Sequence, residues 1–111
     1  MKTFLLVEHE AQTREVVKSM IQNLGHYVVA VPDALTAQRI MSYILFDAVC
    51  TAYDDGLITA AEGTSPPTRV VLLLDKQLDS KKIIRFDSFL SKPFSISTLR
   101  DALEIALAHA A

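Results

Sequence analysis

The chain has 111 residues, half of them hydrophobic and 22% charged, with 11 Lys and Arg against 13 Asp and Glu. That length fills one core without disulfides or a structural metal, and the net charge of −2 excludes the global basic field of a nucleic-acid-binding domain. The single cysteine, Cys50, rules out a disulfide scaffold, and no apolar run is long enough for a membrane span or a signal sequence, so a cytoplasmic location is expected.

In chain order, short β-rich runs alternate with longer segments whose apolar positions recur at helical spacing. Phe4-Leu5-Leu6-Val7 is the first strand. A first helix follows, with Val16, Val17, Met20, Ile21 and Leu24 on one face, Arg14, Lys18 and Gln22 opposite, and Gly25 as its C-terminal stop. Tyr27-Val28-Val29-Ala30-Val31 is the second strand. After Pro32, Asp33 is placed to cap a second helix carrying Ala37, Ile40, Met41, Ile44 and Leu45. Ala48-Val49-Cys50, Val70 to Leu74 and Phe89-Leu90 supply three more strands, and a last helix starts near Ser95 and runs through Ile96, Leu99, Leu103, Ala106 and Leu107.

The interval from 53 to 69 also holds Gly56, Gly63, Ser65, Pro66 and Pro67, which leaves the third helix about two turns once its loops are counted. The fourth helix, around Asp79 to Arg85, is expected to be similarly short. Five βα units without a repeat or an internal linker predict one domain over residues 1–111, a doubly wound parallel α/β sheet with helices on both faces. Chemistry in such folds gathers at the carboxyl ends of the strands, which directs attention to Glu8, His9 and Glu10, to Thr51 through Asp55, to Leu74 and Asp75, and to Lys92.

The residues at those ends resemble the receiver domain of two-component response regulators over nearly the whole chain. The most specific segment is Ser91-Lys92-Pro93-Phe94, supported by the strand leading into Glu8-His9-Glu10, by Leu24-Gly25-His26-Tyr27-Val28-Val29, and by Phe46-Asp47-Ala48-Val49. The resemblance implies a flavodoxin-like sheet of order 2-1-3-4-5, a proline peptide after Lys92 that is usually cis, and a switching aromatic at Phe89. It also implies regulation through a phosphorylated aspartate that needs clustered carboxylates, Mg²⁺, a lysine and a hydroxyl.

Most of that apparatus is missing. The phosphoacceptor position falls on Ala52, the acidic pair has become Glu8-His9, and the hydroxyl position falls on Leu74, or on Asp75 in the alternative register. Only Lys92 is retained, free to pair with Glu8 or Asp75, which at a partly exposed site contributes about 0–1 kcal/mol. The expected vestigial pocket is therefore Glu8, His9, Ala52, Asp54, Leu74, Asp75, Lys92 and Pro93, with no catalytic residue, no cofactor, and Mg²⁺ binding lost or weak. The reading is a degenerate receiver, or pseudo-receiver, that is not an enzyme and acts by contact with a histidine kinase, another receiver or an output domain, without membrane or direct nucleic-acid binding. A homodimer through the fourth helix, fifth strand and last helix is a further partner expectation.

Four alternatives stay open at the level of sequence. Asp54 or Asp55 lies in the right loop to be a displaced phosphoacceptor, and Glu8, His9 and Asp54 could gather a metal, which a histidine would bias towards a transition metal. The basic stretch Lys76, Lys81, Lys82 and Arg85 could dock an acidic partner, or a cyclic dinucleotide stacked on Phe86 or Phe89 with Arg85 on its phosphate, although no glycine-rich phosphate loop occurs.

Overall fold

A computed structural model describes residues 1–75 and 86–108. The fourth-helix expectation and the basic stretch Lys76, Lys81, Lys82 and Arg85 lie outside the described residues. Five parallel strands, β1 (Thr3–Val7), β2 (Tyr27–Val31), β3 (Ala48–Thr51), β4 (Arg69–Leu74) and β5 (Ser88–Ser91), form one sheet of order β2-β1-β3-β4-β5. The helices are α1 (Ala11–Asn23), α2 (Ala34–Met41), α3 (Asp55–Glu62) and α4 (Ile96–Ala108). This is the doubly wound flavodoxin-like architecture, and β1 and β3 flank the point where the strand order reverses. Among the described residues, no helix is long and apolar enough to cross a membrane.

The near-continuous apolar strands form because both faces of the sheet are covered, so every residue of β1, β3 and β4 needs a side chain that tolerates burial. Alternation sorts these residues into two cores. Leu5, Val7, Val49, Val70, Leu72 and Leu74 pack with Ala37 and Met41 of α2 and Leu57, Ile58 and Ala61 of α3. Phe4, Leu6, Ala48, Cys50, Val71, Leu73 and Leu90 pack with Val17 and Ile21 of α1 and Leu99, Ala102, Leu103 and Ala106 of α4.

Local chemistry sets where each helix starts and stops. Asp33 accepts a hydrogen bond from the Thr36 N–H at 2.7 Å and caps α2 as its sequence position predicts. Gly25, just past α1, has φ +92°, a left-handed conformation that costs other residues strain. At α3, the expected two turns are an eight-residue helix.

Two apolar assignments differ from the sequence reading. Val16 is 59% exposed, because the buried stripe of α1 runs through Val17, Met20, Ile21 and Leu24 and Val16 lies one helical step outside it. Ile44 and Leu45 are not on α2: the helix ends at Met41, the Ser42 hydroxyl donates back to the Arg39 carbonyl at 2.5 Å, and both residues are exposed. The chain leaves the helix there because Phe46 is drawn into the core. Asp47 then anchors the start of β3, its carboxylate accepting from the Thr3 N–H at 2.8 Å.

The positive φ at Gly25 gives a direct test. No atom lies within 4 Å of a Cβ built there, so Gly25→Ala meets backbone strain alone. It is expected to lower stability by about 1–2 kcal/mol in urea unfolding, and Gly25→Asn by less, since asparagine enters that region more readily.

Candidate functional site

The alternation that sorts the core also determines what meets at the carboxyl edge of the sheet. Leu6 is registered against Cys50, so Glu8 and Ala52, each two residues further on, continue neighbouring rows on the α1 and α4 side. Leu74 is registered against Ser91, so Asp75 and Lys92 follow as the next pair. Glu8, Ala52, Asp75 and Lys92 therefore extend one face of four adjacent strands. Leu74 does not belong with them: it is buried in the opposite core with α2 and α3, because it is one residue out of phase. Of the two registers open for the fourth strand, the one that brings Asp75 to Lys92 is found.

Glu8 is the only carboxylate among the buried residues described, its side chain 4% exposed. Lys92 Nζ donates to Glu8 Oε1 at 2.5 Å and lies 3.5 Å from Asp75 Oδ1. The second oxygen, Oε2, accepts from the Glu10 N–H at 3.1 Å and sits 3.3 Å from His9 Nδ1. Burial pushes the Glu8 carboxyl up, but the hydrogen bonds from Lys92 and the Glu10 N–H, with the positive charge of Lys92, outweigh it and hold the group below its ordinary value of 4.5. For Lys92, burial favours the neutral amine; the hydrogen bond to Glu8 and the charges of Glu8 and Asp75 prevail and raise it above 10.5. Glu8 is thus nearly enclosed, while Lys92, 22% exposed in its side chain, leaves the pair partly exposed as its sequence positions suggest.

Two features of this site lie outside the sequence reading. Arg14, placed by periodicity on the solvent face of α1, folds back and donates from Nη1 to the Glu8 carbonyl at 2.9 Å. Glu10 caps α1, accepting from both the N–H and the hydroxyl of Thr13. An acidic residue three before a threonine at a strand-to-helix turn is a usable signal for the cap; the Arg14 contact has none.

The remaining candidates are dispersed. Ala52 is exposed and carries only a methyl group, and His9 is 87% exposed in its side chain. Asp54 caps α3, its Oδ1 accepting from the Leu57 N–H at 2.8 Å, and Asp55 accepts from the Tyr53 hydroxyl at 2.7 Å. Thr51 and Cys50 are buried, and burial pushes the Cys50 thiol up to about 12. The Lys92-Pro93 peptide is cis, and Phe89 is 55% exposed with its ring edge against Phe86 at 5.9 Å between centroids.

Among the described residues no three His, Cys, Asp or Glu side chains gather as a metal site, so Glu8, His9 and Asp54 do not form the set considered from the sequence. Mg²⁺ requires several oxygen ligands in near-octahedral array. Here the one buried carboxylate among the described residues has a partner on each oxygen, the side chain at position 52 offers no oxygen, and Asp54 caps α3 through Oδ1.

The opposite shifts of Glu8 and Lys92 define a pH window. A lowered carboxyl contributes stability above its unfolded value and loses it as pH falls through the folded value; a raised lysine contributes below its unfolded value and loses it as pH rises through the folded one. The pair is therefore intact between about pH 5 and pH 10. Lys92→Met is expected to lower stability by about 1–3 kcal/mol at neutral pH by leaving a buried carboxylate without its cation. The difference should shrink in acid, and carboxyl NMR should show Glu8 titrating above its ordinary value in the variant.

No family model matches the sequence, and no curated protein matches it. Solved structures do. The receiver domain of a sensor histidine kinase from Pseudomonas aeruginosa, with a magnesium ion coordinated in its active-site cleft, superimposes with TM-score 0.84 at 19% identity, covering 97% of this chain and 98% of its own. A chemotaxis protein of Vibrio cholerae gives 0.83 at 22% identity over 96% and 99%. A response regulator receiver protein of Sinorhizobium medicae gives 0.82 at 24% over 96% and 94%. With the sheet order, these likenesses give the chain the fold of the response-regulator receiver domains.

Proposed function

We propose that the chain is a pseudo-receiver, a cytoplasmic regulatory domain of two-component signalling that acts by protein–protein contact and is not phosphorylated at the usual position. The observation that carries this reading is the methyl group of Ala52 at the end of β3, in line with Glu8 and on the face that Lys92 occupies. An alanine cannot attack phosphorus or bind metal, and rearranging its neighbours does not change that. Magnesium coordination, seen in the Pseudomonas receiver domain, is lost or weak here, because Glu8 is engaged on both oxygens.

The ion pair supports the same reading from the energetic side. In a phosphotransfer mechanism a lysine meets the phosphoryl oxygens of the intermediate. In this chain Lys92 has two carboxylate neighbours in the resting molecule, at 2.5 Å and 3.5 Å, and one conformation is stabilised without any ligand. The partners this fits are a histidine kinase, another receiver or an output domain. Phe89 on β5 and Ile105 on α4, each more than half exposed, mark one face available for such contact or for a second copy.

The geometry gives the displaced acceptors other roles, the Asp54 carboxylate capping α3 and the Asp55 carboxylate accepting from the Tyr53 hydroxyl. A phosphodonor experiment tests the proposal. Incubation with acetyl phosphate and Mg²⁺ is expected to leave the intact mass unchanged, and beryllofluoride with Mg²⁺ to leave the amide NMR signals around Lys92 in place. A phosphoryl adduct, or Mg²⁺-dependent shifts around Lys92, would overturn it.

A further inference from the structure

The alanine at 52 is one departure from a metal-dependent site; the surroundings of Glu8 are another, and they do not depend on residue 52. Resting on the pseudo-receiver reading, we propose that the site is closed by two separate blocks, so that a carboxylate restored at position 52 does not by itself restore a response to Mg²⁺. The second block is the imidazole of His9 in place of a second loop carboxylate: with Glu8 committed to Lys92, residue 9 is where this loop would have to supply a further oxygen donor.

The argument begins with the environment of Glu8. Its Oε1 holds the Lys92 ammonium at 2.5 Å and its Oε2 holds the Glu10 N–H at 3.1 Å, in a side chain 4% exposed. A cation entering there must displace a lysine from a buried carboxylate and leave that ammonium with only the exposed Asp75 beside it. Arg14 adds a second positive charge on the same loop, its Nη1 2.9 Å from the Glu8 carbonyl and 3.5 Å from that of His9. The neighbouring side chain, His9, is an imidazole, which suits transition metals and not hard Mg²⁺. A new carboxylate at 52 would therefore stand near a competing ammonium, and the other carboxylate of the β1–α1 loop, Glu10, is committed through Oε1 to the cap of α1. An aspartate at position 9 supplies that missing oxygen donor, and because His9 is 87% exposed the exchange disturbs no packing.

Three proteins distinguish the possibilities: the natural chain, Ala52→Asp, and Ala52→Asp combined with His9→Asp, each titrated with Mg²⁺ and then beryllofluoride while amide NMR shifts are recorded. The double variant is expected to show saturable Mg²⁺ shifts at residues 8, 9, 52 and 92, and Ala52→Asp to show none at concentrations that saturate the double variant. Shifts in Ala52→Asp equal to those of the double variant overturn the second block. A folded double variant that stays silent overturns the role given to His9. A response from the natural chain instead sinks the pseudo-receiver reading itself. His9→Asp alone gives a readout independent of position 52: Mn²⁺ should broaden the amide signals of residues 8–10 at lower concentration than in the natural chain, and equal broadening counts against the proposal.

Discussion

A parallel sheet covered on both faces leaves little room for charge within its strands, where Arg69 at the start of β4 is the one charged residue, and that constraint governs what is found at its carboxyl edge. β1 and β4 stay apolar up to their last residues, so acidic side chains follow only beyond Val7 and Leu74. Glu8 sits at that boundary and is still almost fully enclosed, 4% exposed in its side chain. An ionised carboxylate so placed needs a cation and donors for its remaining lone pairs. The molecule supplies Lys92 from the far side of the sheet and the Glu10 N–H from its own loop. A contact spanning 84 residues of sequence thus follows from the burial of one side chain and the register of four strands.

The same constraint explains why the edge works as a closed unit. Lys92 reaches Glu8 on β1 and Asp75 beyond β4 while its own N–H donates to the Leu74 carbonyl at 2.8 Å. One residue therefore ties the ends of β1, β4 and β5 together. Arg14 does the corresponding work for the β1–α1 loop, spending its guanidinium on backbone carbonyls. Such a site stabilises a single arrangement of these strand ends without any ligand.

Much of this was legible in the residue pattern, and what was missed has a common cause. Strand positions, the Asp33 cap and the Gly25 stop are local properties, each decided within a few residues, and the order of strands followed from the resemblance that Lys92-Pro93-Phe94 carries. Burial of Glu8 is not local. It depends on what the fold brings over the end of β1, so Glu8 is nearly enclosed while its partner Lys92 stays partly exposed, as expected. Choosing between Leu74 and Asp75 required the β4–β5 register, which hydrophobicity cannot give when both registers begin with the same run of valine and leucine. Ile44 and Leu45 looked helical because their spacing continues that of Ile40 and Met41; the pull of Phe46 into the core and the Asp47 anchor at Thr3 ended the helix first.

The acidic character of the edge adds a last step. In a doubly wound fold the helices that follow the strands point their N-termini, with their partial positive charge and unpaired N–H groups, at the carboxyl edge, where an anion would ordinarily be attracted. Here a carboxylate of the chain already occupies each of the three described helix starts nearest β1 to β3: Glu10 on α1, Asp33 on α2 and Asp54 on α3. The hydrogen bonds from Thr13, side chain and backbone, hold Glu10 below its ordinary value, and the Thr36 N–H does the same for Asp33, so both remain ionised at neutral pH. The attraction that the fold offers to an external anion is thereby met internally, and the one lysine on this edge among the described residues is met by Glu8 and Asp75. A phosphoryl group arriving at this edge would therefore meet three carboxylate caps, an ammonium already paired with Glu8 and Asp75, and an Arg14 guanidinium already bound to backbone carbonyls, whatever residue stands at position 52.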